Sequence, residues 1–383
     1  MAKAIISRRG GGSGYATITF NGVSALKKTD VAALYIPRSA LSATTVGNYA
    51  LFGGGFAHNE YLSWVDAYDT SLTRSTATHL SVARNNLAAT TVGNYALFGG
   101  GKNSSGNQYT TDAYDTSLTR STPTILGVGR SALAATTVGN YALFGGGSIN
   151  YSTVDACDTS LTRSTATSLS VGREWLAATT VGNYALFGGG QNSSALSTVD
   201  AYNTSLTRST PTTLSQSRAQ AGATTVGNYA LFGGGSNYST VDAYDTSLAR
   251  TTPTGLSVGR RYLAATTIGN YALFGGGYGS GSGNNLSVVD AYNTSLTRST
   301  PSALSEGRGA LAATTVGNYA LFGGGNDYST VDAYYVNNKV QVYPGTKYKL
   351  GSMSSESTSS TMQEIETTAP ITGYIKIKDA TIN

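Results

Sequence analysis

Short apolar runs alternate with small and polar residues along most of the chain, and the same alternation returns seven times. The run Tyr-Ala-Leu-Phe ends in three glycines at Phe52, Phe98, Phe144, Phe187, Phe232, Phe274 and Phe322, at spacings of 46, 46, 43, 45, 42 and 48 residues. Within one period the pattern predicts four strands. In the third copy the first is Leu-Ala-Ala-Thr-Thr-Val at 133–138, followed by the hairpin pair Gly139-Asn140, in which Gly supplies a positive φ. The second is 141–144, ending in the glycine triplet, and the third is 153–157. An Asp-Thr-Ser turn follows, with short side chains that bond their own backbone. The fourth is expected over 163–169. Four short antiparallel strands in a period of roughly 40–50 residues make one propeller blade.

A Gly-Gly doublet after an apolar strand, a Tyr further on and an Arg opening the next unit together resemble the kelch repeat. The usual kelch Trp after the Tyr is missing, with Leu or Thr in that stretch. The Gly-His and Trp-Asp signatures of the WD repeat are absent. The seventh copy supplies three strands and diverges at Tyr335, while residues 26–38 align without gaps on the fourth-strand segment 118–130. The expectation is an all-β, seven-bladed β-propeller of kelch type over 26–337, closed by 26–38 as the outer strand of its last blade. Closure removes the sheet edges that invite aggregation. Residues 1–25 and 338–383 fall outside the repeat. Alternating stretches at 15–20, 340–343 and 374–377, around a Ser/Thr-rich linker at 352–361, are expected to form a small β module.

Composition fits this picture: Gly 48 and Tyr 26, with only 12% charged residues, suit short strands and tight turns. The net charge of +5 is not a nucleic-acid signature, because the arginines are dispersed and Lys102 is the only lysine between Thr29 and Asn337. No stretch has the apolar length of a membrane span. Residues 1–12 hold Arg8-Arg9 but no signal-peptide core, so synthesis in the cytoplasm without a leader is expected. One cysteine, Cys157, excludes an internal disulfide framework and stands where other copies have Tyr. It is expected to be a drifted core position.

Variation among the repeats falls in two places. The segments from glycine triplet to the third strand hold 9, 9, 6, 8, 5, 11 and 5 residues, and account for all length variation in the ring. A second variable spot follows the repeated arginine: Ser39-Ala40, Asn85-Asn86, Ser131-Ala132, Glu174-Trp175, Ala219-Gln220, Arg261-Tyr262 and Gly309-Ala310. In an antiparallel blade these 2–3 and 4–1 connections emerge at one end, so one face of the disc is diversified and the other uniform. Candidate ligand-binding residues on the variable face are Tyr61, Trp64, Asn103, Gln108, Tyr109, Glu174, Trp175, Gln220, Arg261, Tyr262, Tyr278 and Asn285. Aromatics among Asn, Ser and Gly bind at low entropic cost. The competing reading is relaxed drift in exposed loops. Arg38, Arg84, Arg130, Arg173, Arg218, Arg260 and Arg308 are expected to ring the channel mouth, either free for an acidic partner or paired with Asp66, Asp112, Asp155, Asp200, Asp242, Asp290 and Asp332.

Three function classes follow. The first is a non-catalytic recognition module for a cell-surface glycan or protein, with no cofactor and no metal. The ends, at 343–350 and 372–378, resemble bacteriophage or prophage tail-associated proteins, which implies a receptor-binding role, a virion or tail assembly as partner, and a homo-oligomer. The second is an intracellular scaffold binding an acidic peptide at the arginine-lined mouth. The third, a kelch-type sugar-processing enzyme, is disfavoured because the only histidines are His58 and His79 and the repeats lack the unlike residues a catalytic site assembles. The glycine triplets lack the Lys and the helix of a phosphate loop.

Overall fold

The computed structural model describes residues 26–281 and 284–336 with their side chains, and outside them only the backbone of short strands at 16–17, 25, 337–342, 347–350, 357–358, 363–367 and 373–376. All described regular structure is β. The repeats form seven four-stranded antiparallel blades, and the innermost strand of each lies beside that of the next, blade seven meeting blade one. The fold is the expected seven-bladed β-propeller. Blade one is Ser42–Val46, Tyr49–Gly53, Val65–Tyr68 and Arg74–Thr76. In blade seven the strands Ala312–Val316, Tyr319–Gly323 and Val331–Val342 are joined by Ala25–Asp30, which takes the outermost place.

The outer strands are shorter than the sequence pattern suggested, and shortest where a proline follows. Where the fourth residue of the strand is Ala, the strand runs to Arg74–Thr76 in blade one, with Ala77 N–H still bonded to the Val65 carbonyl, and to Arg163–Ala166 in blade three. Where it is Pro123, Pro211, Pro253 or Pro301, no N–H exists to continue the ladder, and only two residues pair (Arg120–Ser121, for instance).

The glycine triplet fits one blade against the next. A Cβ on Gly53 would come 2.8 Å from the Phe98 ring of blade two, and one on Gly323 would come 2.8 Å from Phe52 of blade one, closing the circle. Gly54 and Gly55 have φ of 70° and 119°, and Gly55 donates to the Arg84 carbonyl of the next repeat. Each Phe meets a Tyr edge-to-face, as in Phe52–Tyr68 at 5.9 Å, and the Tyr68 hydroxyl donates to the Ala32 carbonyl at 2.8 Å. Cys157 breaks this pattern in blade three. It is fully buried, its thiol is pushed up to about 12 by burial, and it shares a core cluster with Phe144 and Ile125. Ile125, also fully buried, stands where other copies have Ala33, His79, Ser168, Thr213, Gly255 or Ala303, so an added side chain accompanies the missing Tyr ring.

The chain divides into two compact units, Lys28–Tyr334 and the paired ends Met1–Lys27 with Tyr335–Asn383. The unit of the ends contains a small sheet ordered Ser357–Thr358, Lys347–Leu350, Gly373–Lys376, Ala16–Thr17. Gln363–Thr367 pairs antiparallel with 338–342. One of these strands, Ser357–Thr358, falls inside the stretch expected to be a linker.

Candidate functional site

The 4–1 connections converge on the propeller axis, where seven residues close a circle of backbone hydrogen bonds. The amide of Asn86 donates to the Ala40 carbonyl, Ala132 to Asn86, Trp175 to Ala132, Gln220 to Trp175, Tyr262 to Gln220, Ala310 to Tyr262 and Ala40 to Ala310, all at 2.9–3.0 Å. All seven are left-handed, with φ between 51° and 61°. That conformation disfavours any residue with a Cβ by roughly 1–2 kcal/mol, yet none of the seven is Gly in a chain with 48 of them. The closed circle holds each residue in the strained conformation, and each carries a side chain at the rim of the channel.

These residues, with the Leu or Ala that follows each, line a cavity of about 190 Å³ at the channel mouth. Further along the innermost strands, two threonines per blade line a wider space of about 420 Å³. Their hydroxyls pair between neighbouring blades, as in Thr44–Thr91 at 2.8 Å and Thr90–Thr137 at 2.9 Å. The channel wall is therefore uniform, and only its mouth differs from blade to blade.

The differences are concentrated in one sector. Trp175, Gln220 and Tyr262 are consecutive round the circle; Trp175 meets Tyr262 edge-on at 5.4 Å, and Tyr262 meets Tyr278 at 5.8 Å. The Gln220 amide donates to the Tyr262 hydroxyl at 2.9 Å. Burial raises the pKa of both phenols above the ordinary tyrosine value, so they stay neutral. Glu174 exchanges two backbone bonds with Gln191, and Arg261 exchanges two with Tyr278, which ties each 4–1 connection to the start of its 2–3 loop. The opposite side carries Ala310, Ala40 and Ala132, with Asn86 among them.

Of the expected ligand-binding residues, the structure thus groups Glu174, Trp175, Gln220, Arg261, Tyr262 and Tyr278. Asn285 bridges antiparallel to Tyr278 in the blade-six loop, and the other five lie apart. Gln108 donates to Asn103 at 3.0 Å within the blade-two loop, beside Tyr109, which is 65% exposed. Tyr61 packs edge-on against Phe56 at 5.1 Å, and exposed Asn285 accepts from Asn326 at 3.4 Å. Trp64 does not join Trp175. It is half-buried at the outer side of blade one, 4.4 Å from Tyr35 and 4.2 Å from His79, with the Arg74 guanidinium 5.5 Å above Tyr35. Tyr35 comes from the closing segment, at a position that is Ser or Gly in every other copy, so this cluster marks the seam of the ring.

The expected arginine ring at the mouth does not form. Arg38, Arg84, Arg130, Arg173, Arg218, Arg260 and Arg308 are fully buried between strands and do not line the mouth. Each forms an ion pair with an aspartate, Arg38 with Asp66 at 2.7 Å and Arg308 with Asp332 at 2.6 Å, and donates to the carbonyl of the Phe before the glycine triplet. A half-exposed outer cation completes each aspartate, Arg74 at 3.0 Å in blade one and, in blade seven, Lys28 of the closing strand at 3.1 Å. The physical reason is desolvation: burying a guanidinium is costly unless a carboxylate offsets its charge, so the pair moves inside together. Asn86 was missed as a lining residue, although its variability two places after Arg84 marks it.

No protein-family model matches this chain, and no curated protein matches it. Among solved structures, that of YjhT superimposes with a TM-score of 0.56 at 13% sequence identity, covering 71% of this chain and 99% of that one. The likeness is one of fold. This chain is a β-propeller, and its site must be argued from its own residues. Among the described residues no group of three His, Cys, Asp or Glu could hold a metal ion, and no helix is long and apolar enough to cross a membrane.

Proposed function

We propose that this propeller is a non-catalytic recognition module of kelch type, gripping a cell-surface glycan or protein through its diversified face as a phage or prophage receptor-binding protein does. One observation carries the reading. Seven near-identical repeats each bring one residue to the channel mouth, and there the repeats differ, with Trp175, Gln220 and Tyr262 consecutive in one sector and Asn86 across from them. The sheet of the chain ends would serve as the attachment to a larger assembly. The acidic-peptide reading loses its support, since every arginine it needs is already buried and paired.

The test is binding of labelled protein to bacterial cells and to a glycan array. Replacing Trp175 and Tyr262 together by Ala is expected to abolish binding, while Trp64→Ala retains it. Undiminished binding by the double variant would remove the mouth as the site.

A further inference from the structure

We propose that the mouth takes one neutral pyranose unit, the exposed terminal sugar of a glycan; this rests on the recognition reading above and names its ligand. Size comes first. The cavity of about 190 Å³ is smaller than the roughly 300–1,000 Å³ of sites for drug-sized molecules, so it suits one ring rather than a peptide strand or helix.

The wall supplies the matching chemistry. Trp175 and Tyr262 offer aromatic carbon to the C–H face of a sugar ring. An amide has two N–H donors and a carbonyl with two lone pairs, and Gln220 commits one donation, to the Tyr262 hydroxyl. Its remaining donor and acceptor suit a pair of neighbouring hydroxyls, each able to give and to take. Asn86 brings a second amide from across the mouth.

Charge narrows the class further. No ionisable acid or base other than the neutral Tyr262 phenol lines the cavity. Glu174 and Arg261, of opposite sign, stand next to Trp175 and Tyr262 in the chain but outside the cavity lining. An anionic sugar would bring a charge into a wall without a partner for it. The closed backbone circle fixes where these side chains start, which lowers the ordering cost of binding a small ligand.

The experiment uses the full chain with Trp64→Phe, leaving Trp175 as the single tryptophan. Its emission is titrated with the methyl glycosides of glucose, galactose, mannose and N-acetylglucosamine, and with N-acetylneuraminic acid as the anionic probe. The expected result is a saturable shift with at least one neutral glycoside, unchanged by added salt, and none with the acid. In the same background Gln220→Ala should weaken that binding about tenfold, the loss of one or two hydrogen bonds. An emission indifferent to every neutral glycoside, or a response to the acid alone that salt abolishes, would overturn the assignment. Cell binding lost in Trp175→Ala/Tyr262→Ala but uncompeted by any of these sugars would overturn the sugar and leave the recognition module standing. Saturable sugar binding beside no cell binding would do the reverse.

Discussion

Asp242 sits between a fully buried arginine and a part-exposed one, which lets one carboxylate compare the two kinds of partner. Arg218 is fully buried, 2.6 Å from Asp242, and also donates to the Phe232 carbonyl at 3.1 Å. Arg250 approaches the other carboxylate oxygen at 3.3 Å with its side chain 25% exposed. Arg218→Met removes the buried cation and leaves Asp242 with Arg250 and the Ser215 amide at 3.1 Å. Breaking a buried pair costs about 3–5 kcal/mol, and the remaining partners place this case near the lower end. Arg250→Met removes an exposed partner and costs about 0–1 kcal/mol. Arg218→Met/Asp242→Leu removes both buried charges and should recover a large part of the single-variant loss. Urea unfolding followed by tryptophan fluorescence reads all three, provided the slope with urea is unchanged. Equal losses for Arg218→Met and Arg250→Met would refute the argument that depth, rather than pairing, sets the value of these contacts.

Blade three offers a test of compensation. Cys157→Tyr alone should cost about 1–3 kcal/mol by crowding Ile125, whereas Cys157→Tyr with Ile125→Thr should recover the loss as the new hydroxyl reaches the Thr124 carbonyl. Additive single effects in a thermal-melt cycle would contradict the shared space. Burial opposes ionisation of Asp332, but the Ser305 hydroxyl and the Arg308 guanidinium outweigh it and hold its carboxyl below the usual carboxylate range. Its contribution is therefore complete above the unfolded value of about 4 and lost as pH falls through the lower folded value. Asp332→Asn should be less stable at neutral pH and lose less on acidification; an acid limb as steep as that of the parent would count against this. At the seam, Tyr35→Ser restores the residue of the other repeats but removes the stack on Trp64, and should lower stability by about 0.5–1.5 kcal/mol. No change in melting temperature would show the stack to be ornamental.

The blade count and the hairpin at each Gly-Asn pair were legible because seven copies repeat one local pattern; of the closing segment expected over 26–38, the outermost strand takes up Ala25–Asp30. Even the closing strand keeps its register, with Lys28 in the place of Arg120 and bonded to Asp332 as the other outer cations are bonded to theirs. Radial position was not legible. Trp64 and Trp175 both fall in variable connections, yet one lies where a 2–3 loop meets the outer strands and the other where a 4–1 connection reaches the axis. Nothing in the spacing separates rim from axis, because both connections emerge on the same face. The arginines were ambiguous for a related reason: one Arg and one Asp per repeat fit an exposed ring as well as a buried pair, and the desolvation that decides between them depends on how deeply the next blade covers them. The left-handed circle was visible only as variability, since Ala, Trp, Gln and Tyr carry no local signal for positive φ.

The most direct measurement of the central claim compares cell binding by the parent with that of Trp175→Ala/Gln220→Ala/Tyr262→Ala, which makes that sector of the mouth match the alanine side. Binding should fall to background with the melting temperature held, because the backbone circle survives. Binding equal to the parent at an unchanged melting temperature would contradict it.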